Sequence, residues 1–150
     1  ERGYEHYEIS NFALSGKRSR HNMKYWTFEP YIGFGAGAHS FICGERSSNP
    51  ADIPAYMSGA PRERDRNSPE LRMAEFLMTS LRLRDGFTTG RFESVFGRPL
   101  PDPVHEAVRR LAGEGMVLLR DAEEGMMVSV SDEAFFFSDS VVFSVVESLL

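Results

Sequence analysis

The chain has 150 residues, of which 41% are hydrophobic and 26% charged, a balance typical of a globular protein that argues against disorder. Its formal net charge of −5 disfavours a general nucleic-acid binder, which normally carries a basic excess. The single cysteine, Cys43, excludes an internal disulfide and indicates a reducing compartment. No apolar run approaches the roughly 20 residues that span a bilayer, so we expect a cytoplasmic protein.

The first third of the chain carries strand signals. Aromatic and polar residues alternate over residues 4–12, which predicts a strand, and a polar, basic connection follows over residues 15–22. Residues 31–42 are apolar and rich in glycine. On a strand, the glycines at positions 33, 35 and 37 would share one bare face, which a flat ligand or another backbone can approach closely.

The second part of the chain is predicted to be mostly helical. Loop-like residues 44–68 include a short helix over 51–57 and end in a charge run that marks a domain boundary. Capping residues and apolar spacing then predict three helices, which run from Ser68 to Gly86, from Thr88 or Thr89 to Gly97, and from Asp102 onward.

The rest of the chain completes a winged-helix-like pattern. Two strand-like runs, at 116–120 and 126–130, flank a glycine-containing turn, and a last helix follows Ser131. We therefore predict an α+β protein with a strand and loop region over residues 1–61 and a helical, winged-helix-like domain over residues 62–150.

The stretch RHNMKYW at 20–26 holds the strongest candidates for binding chemistry. His21 and Tyr25 share a face on a helix or on a strand, because a separation of four suits both periods. A neutral imidazole can ligate heme iron, aromatic rings such as Trp26 can stack on a macrocycle, and cations can pair with its propionates. Basic residues surround the histidine, at positions 17, 18, 20 and 24. The residues alone leave open a packed aromatic cluster around a hydrogen-bonded imidazole, which is the commoner arrangement.

The other reactive side chains give weaker signals. His39 follows the glycine-rich stretch and either faces the same space as His21 or is a strand-end histidine bonded to backbone. Cys43 has no neighbouring base and is expected to pack as a small apolar group. No catalytic pair or triad stands out, so the chain by itself does not show an enzyme.

Several segments resemble the HemW family, whose members are radical-SAM-type proteins understood to be heme chaperones and similar to oxygen-independent coproporphyrinogen III oxidases. The similar segments are GYEHYEISNFA at 3–13, HNMKYW at 21–26, GFGAGAHSF at 33–41, EFLMTSLRLRDGF at 75–87 and AVRRLAGEGMVLL at 107–119. In that family the motif His-Asn-x-x-Tyr-Trp is associated with heme binding. The resemblance implies that His21, Asn22, Tyr25 and Trp26 form the heme site, with His21 as the iron ligand and His39 beside the pocket.

The resemblance also implies that the chain is the C-terminal part of a longer protein. Strand extensions of an absent partial TIM-like barrel would then precede the winged-helix-like domain. In the family, that barrel carries a three-cysteine motif for a 4Fe–4S cluster and most contacts to S-adenosylmethionine, and Cys43 alone cannot replace them. The implied partners are heme, its hemoprotein targets and the missing barrel, with membrane association only through those targets. Residues 132–142 depart from the family pattern, which puts the packing of the last helix in doubt.

Three functions remain open at this level. The leading hypothesis is a heme chaperone, and the enzymatic alternative is a radical SAM coproporphyrinogen oxidase that decarboxylates propionates. The third is an interaction module built on the winged-helix-like half. Residues 103–115 contain two adjacent arginines but no basic stripe, so DNA is disfavoured as the partner.

Overall fold

The computed structural model describes residues 3–149, and its N-terminal segment is a hairpin rather than one strand. β1 (Tyr4–Glu8) pairs with β2 (Asn11–Leu14) in antiparallel register, so the predicted strand over 4–12 is wrong in its second half. The chain reverses at residues 9–10 because the buried Glu8 carboxylate accepts hydrogen bonds from the Ser10 amide and the Asn11 side chain. This local bonding gives the backbone an alternative to continued strand pairing.

A second, three-stranded antiparallel sheet follows the helix α1 (Arg20–Trp26). Its strands are β3 (His39–Ile42), β4 (Glu45–Ser48) and β5 (Glu63–Arg64), with the middle position taken by β4. The short helix α2 (Ile53–Met57) lies between β4 and β5 in the chain, where the sequence predicts it.

The predicted glycine-rich strand over residues 31–42 is wrong except at its end. Only residues 39–42 form β3, and Tyr31 contributes one isolated bridge to Phe41. Gly35 and Gly37 take φ values of 104° and 71°, which L side chains rarely adopt and which bend the segment into a loop. The buried Asn49 side chain donates hydrogen bonds to two carbonyls of this loop, so the glycines serve loop closure rather than a bare strand face.

Four helices form most of the second half. They are α3 (Pro69–Ser80), α4 (Thr89–Phe96), α5 (Asp102–Gly113) and α6 (Ser138–Val146). The side chains of Ser68 and Thr88 cap α3 and α4 as predicted, and Gly97 ends α4 with a φ of 67°. No helix in the described part of the chain is long and apolar enough to cross a membrane.

The helix α3 ends at Ser80, six residues before the predicted stop at Gly86. The segment after it pairs with the N-terminal hairpin instead, since the Ile9 amide donates to the Arg82 carbonyl and the Arg84 amide donates to the Tyr7 carbonyl. Backbone groups that bond to a neighbouring strand cannot continue an α-helix. Tertiary pairing therefore decides where α3 ends.

The predicted hairpin is present and forms the wing. β7 (Val117–Ala122) and β8 (Gly125–Val130) are joined by a two-residue turn, and the short β6 (Phe87–Thr88) pairs with the other edge of β8. Gly125, with a φ of 89°, follows the turn. Helices α3 to α5 together with this sheet confirm the predicted winged-helix-like arrangement.

One hydrophobic core connects the two predicted regions. Phe76 on α3 contacts the rings of Phe28, Phe87, Phe92 and Phe96 at centroid distances of 5.4–5.6 Å. Phe28, from the first region, is itself buried. The α+β class is confirmed, and residues 3–149 contain no closed barrel. The division at residues 61 and 62 stays a prediction.

Candidate functional site

The candidate residues lie on α1, a helix of seven residues at the protein surface. Ser19 caps its start, where the Asn22 amide donates to the serine hydroxyl at 3.3 Å. Thr27 caps its end, since its hydroxyl donates to the Met23 carbonyl at 2.8 Å. None of the helix residues is buried, so α1 presents its side chains to solvent or to the edge of the core.

His21 is exposed, and its ring is paired with Tyr25 one turn later. The tyrosine hydroxyl and His21 Nε2 are 3.0 Å apart, and the two rings meet edge to face with centroids 5.1 Å apart. The backbone around His21 and Tyr25 is helical, whereas the sequence was compatible with either a helix or a strand. An exposed imidazole held by one hydrogen bond can accept a ligand without opening the core.

Tyr25 continues the aromatic contact inward. Its ring meets Tyr31 at a centroid distance of 4.6 Å, and Arg46 Nη1 lies 3.4 Å from the Tyr31 hydroxyl. Burial raises the pKa of Tyr31, and the positive charge of Arg46 partly opposes this rise. A cavity of about 230 Å³ lies beside these residues. That volume is below the roughly 300 Å³ at which ligand pockets begin, so a macrocycle cannot be enclosed here.

Asn22 and Trp26 occupy the next stripe of α1 and have a different environment. The Arg82 guanidinium covers the Trp26 ring, 4.7 Å from its centroid, and Arg82 Nη2 lies 3.7 Å from the buried Glu8 carboxylate. The indole N–H is buried without a hydrogen-bond partner among the described residues. In this structure Trp26 packs α1 against the segment that follows α3.

A basic groove of about 610 Å³ runs along the other side of α1. Its lining residues are Glu5, Gly16, Arg18, Arg20, Met23, Lys24 and Glu29. Arg18 pairs with Asp85 and Glu5, and the hydrogen bond to Asp85 raises the pKa of the Arg18 guanidinium. Within residues 3–149, Arg20 and Lys24 form no ion pair, so their charges are available to an anionic ligand. Lys17 is exposed and does not line the groove.

His39 and Cys43 lie away from this cluster. His39 is exposed at the start of β3, and in the described structure no hydrogen bond or ring contact joins its side chain to His21. Cys43 is an exposed free cysteine, not the buried small group that we expected. No group of three or more His, Cys, Asp or Glu side chains that could hold a metal ion occurs among residues 3–149.

Comparison with known proteins identifies the relatives of this chain. Residues 67–136 match the HemN C-terminal domain. The heme chaperone HemW of Bacillus subtilis is 36% identical over 121 residues, which cover 77% of this chain and 32% of that protein. HemW of Lactococcus lactis is 32% identical over 143 residues, which cover 93% of this chain and 37% of that protein. The chain belongs to the HemW-like family.

The structural comparison concerns the fold. The fold is similar to that of coproporphyrinogen III oxidase (HemN) from Escherichia coli, a radical SAM enzyme, with a TM-score of 0.64 and 15% sequence identity. The match covers 95% of this chain and 37% of the oxidase. At this identity the likeness shows the fold alone. The chain spans about a third of the length of the HemW relatives it matches.

Sequence reasoning missed the residues that hold the candidate site in place. Glu8 and Arg82 fix Trp26 from positions far away in the chain, and no local pattern indicates them. Tyr31 lies six residues after Tyr25 in a stretch rich in aromatic residues, and this was only a weak indication that the two rings would be in contact.

Proposed function

We propose that the chain is the C-terminal part of a HemW-like heme chaperone, which binds heme on α1 and passes it to hemoprotein targets. The observation that carries this proposal is the exposed His21 imidazole, hydrogen-bonded to Tyr25 on a helix whose Arg20 and Lys24 line the basic groove. The names of the curated relatives support it. Heme is a cargo here and not a resident cofactor.

The geometry favours a heme held at the surface. The cavity beside Tyr25 and Tyr31 is too small for a tetrapyrrole, whereas the His21 side chain is exposed on the surface of α1. A surface position suits a carrier, because a cargo that is only partly covered can be handed to a second protein without local unfolding. Exposure of His21 is thus consistent with transfer.

Each candidate residue has a distinct role in this proposal. His21 coordinates the iron, and ligation through Nε2 requires the Tyr25 hydroxyl to give up its hydrogen bond. Arg20 and Lys24 pair with the propionates. Trp26 holds α1 in position through Arg82, Asn22 lies on the same stripe, and His39 lines the pocket only in the intact protein.

The family also implies a 4Fe–4S cluster and S-adenosylmethionine in the intact protein. One exposed cysteine cannot supply several thiolates, so we place both groups in a barrel outside residues 1–150. The cytoplasm is the proposed location. Hemoprotein targets are the proposed partners, and nucleic acid is not.

A spectroscopic titration tests the site. Heme added to the purified protein should shift the Soret band with saturable binding, and the His21→Ala variant should lose the shift or bind far more weakly. His105→Ala is the matched control, because this partly exposed histidine lies on α5 and outside the candidate site. Equal Soret shifts in the His21→Ala variant and the control would rule out His21 as the iron ligand.

The second candidate is a coproporphyrinogen oxidase, and the fold shared with HemN favours it. An oxidase would convert two propionates of the porphyrinogen to vinyl groups, and each would lose carbon dioxide, a proton and two electrons, whereas a chaperone would not. Incubation of the intact, cluster-containing protein with coproporphyrinogen III, S-adenosylmethionine and an electron acceptor separates the two, and we expect no protoporphyrinogen.

A further inference from the structure

A second cavity, lined mostly by charged side chains, lies between the β3–β4–β5 sheet and the start of α3. Its volume is about 580 Å³, and no residue of α1 lines it. The positively charged side chains around it are Arg46, Arg62, Arg64, Arg66 and Arg72, and the negatively charged ones are Glu45, Asp65 and Glu75. Five cations and three anions leave two uncompensated positive charges, although the whole chain has a net charge of −5.

Two of the arginines are half-buried and incompletely bonded. Nε of Arg46 and Nε of Arg72 are both buried without a hydrogen-bond partner among the described residues. Arg46 is held by Glu75 at 3.7 Å and by the Tyr31 hydroxyl. For Arg72 the described structure contains no ion pair. Because each Nε is enclosed by the protein, a ligand in the cavity can bond to these side chains only through their Nη atoms.

The backbone makes room for the Arg72 guanidinium. Gly44 has a φ of 74°, and a Cβ atom at that position would lie 2.3 Å from Arg72 Nη2. Glycine suits this backbone conformation and leaves space for the guanidinium. The Arg72 side chain therefore lies against the turn between β3 and β4.

A third arginine is positioned from the sheet. Arg62 Nη1 lies 3.3 Å from the hydroxyl of the buried Ser40, and within residues 3–149 Arg62 has no acidic partner. Arg64 pairs loosely with Glu45 at 3.8 Å, and Arg66 is exposed at the rim. Within the described residues Arg62, Arg66 and Arg72 form no ion pair, and neither does the cavity carboxylate Asp65, which leaves the excess of two positive charges.

We propose that this cavity binds a small dianion, a ligand that carries one phosphate group or two carboxylate groups. Guanidinium groups recognise both kinds of oxyanion through paired N–H···O bonds, and the two uncompensated charges match a doubly charged ligand. The cavity volume lies within the range of small-molecule sites. This site is independent of the proposed heme site, although Arg46 and Phe41 line both this cavity and the small one beside Tyr31.

Calorimetric titration of the purified protein at low ionic strength tests the proposal, because salt screens such contacts. Inorganic phosphate and succinate are the two probes, and the tighter one identifies the oxyanion type. We expect one saturable site, with affinity lower by about 10- to 100-fold in Arg72→Met and in Arg62→Gln. Arg109→Gln is the matched control, because this exposed arginine lies on α5 outside the cavity, and its affinity should match that of the unmodified protein.

Three results would overturn the proposal. The first is that neither probe gives a saturable heat of binding. The second is that Arg109→Gln lowers the affinity as much as the cavity variants do. The third is that Arg72→Met and Arg62→Gln both leave the affinity unchanged. Arg66→Gln removes an exposed charge and should fold normally, so a drop of several-fold in its affinity supports the site even if Arg72→Met is unstable. Heme titration of Arg62→Gln separates the two proposals, since its Soret shift should be unchanged.

Discussion

The Arg82 guanidinium lies over the Trp26 ring, 4.7 Å from its centroid. The same guanidinium is 3.7 Å from the carboxylate of Glu8, which is fully buried. The Arg82 guanidinium therefore joins three parts of the chain: the β1–β2 hairpin, the helix α1 and the segment after α3. A cation held over an indole by a buried carboxylate fixes the ring more firmly than packing alone.

Loss of Arg82 should loosen α1 and destabilise the protein. In the Arg82→Met variant, the buried Glu8 side chain loses its ion-pair partner, so we expect a loss of about 1–3 kcal/mol in the free energy of unfolding. Chemical denaturation measures this loss. Trp26 is the sole tryptophan, so its emission should also shift toward longer wavelength in the folded variant.

The double variant Glu8→Gln, Arg82→Met provides the control. Removal of both charges should cost less than the sum of the single changes, because no buried charge is left unpaired. Additive losses would show that the two side chains do not act as a pair.

Gly33→Ala should disrupt the loop before β3. A Cβ atom at this position would lie 2.1 Å from the His39 carbonyl oxygen, which is a backbone atom and cannot move aside alone. We expect a loss of about 1–3 kcal/mol from overpacking, measured by thermal unfolding. Gly113→Ala, at the end of α5 with open space around it, should leave stability unchanged or slightly higher. Similar melting temperatures for Gly33→Ala and the unmodified protein would refute the close contact.

Tyr31 should make stability fall at high pH. Burial raises the pKa of Tyr31 in the folded chain above the value of about 10 that an unfolded tyrosine has. As the pH rises, the unfolded chain therefore releases the Tyr31 proton before the folded chain does. The contribution of Tyr31 to the free energy of unfolding is constant below about pH 10 and is lost as the pH rises through the pKa of the folded state.

Denaturation measured at several pH values from 8 upward tests this contribution. The Tyr31→Phe variant should lose less stability at alkaline pH than the unmodified protein. Tyr4→Phe, which removes an exposed tyrosine, should keep the original profile. Identical profiles for all three proteins would show that Tyr31 does not contribute.

Phe28→Ala should weaken the C-terminal helices as well as its own segment. The Phe28 ring contacts Phe41 at 4.5 Å and Phe76 at 5.6 Å, so its removal leaves a cavity on both sides of the predicted domain boundary. We expect a loss of about 3–5 kcal/mol in one cooperative transition, with faster amide exchange in α3. Phe34→Ala is the control, because that ring is exposed and its loss should change stability by less than about 0.5 kcal/mol. Two separate transitions would instead show that residues 1–61 and 62–150 unfold independently.

The C-terminal elements could be predicted because their signals are local. Ser68, Thr88 and Gly97 cap helices through bonds that span three or four residues, and the β7–β8 hairpin follows from two apolar runs around a glycine turn. The N-terminal third could not be predicted as well. The sequence correctly predicted strands in this region but not where they end. The reversal after Glu8 depends on the buried Glu8 carboxylate, and the glycine-rich loop depends on hydrogen bonds from Asn49.

In the candidate site, too, local contacts could be predicted from the sequence and long-range contacts could not. The spacing of four residues by itself predicts that His21 and Tyr25 share one face, and the two side chains are indeed bonded to each other. The supporting contacts of Trp26 and the arginine-lined cavity come from residues far apart in the chain.

The sequence by itself determined the family, the helix caps, the wing and the shared face of His21 and Tyr25, because each rests on short-range spacing or on a motif. Only the tertiary structure decided where α3 ends, what covers Trp26 and where the uncompensated arginines gather. The physical reason is that burial, charge pairing and backbone bonding between distant segments depend on which surfaces meet, and no local pattern encodes that.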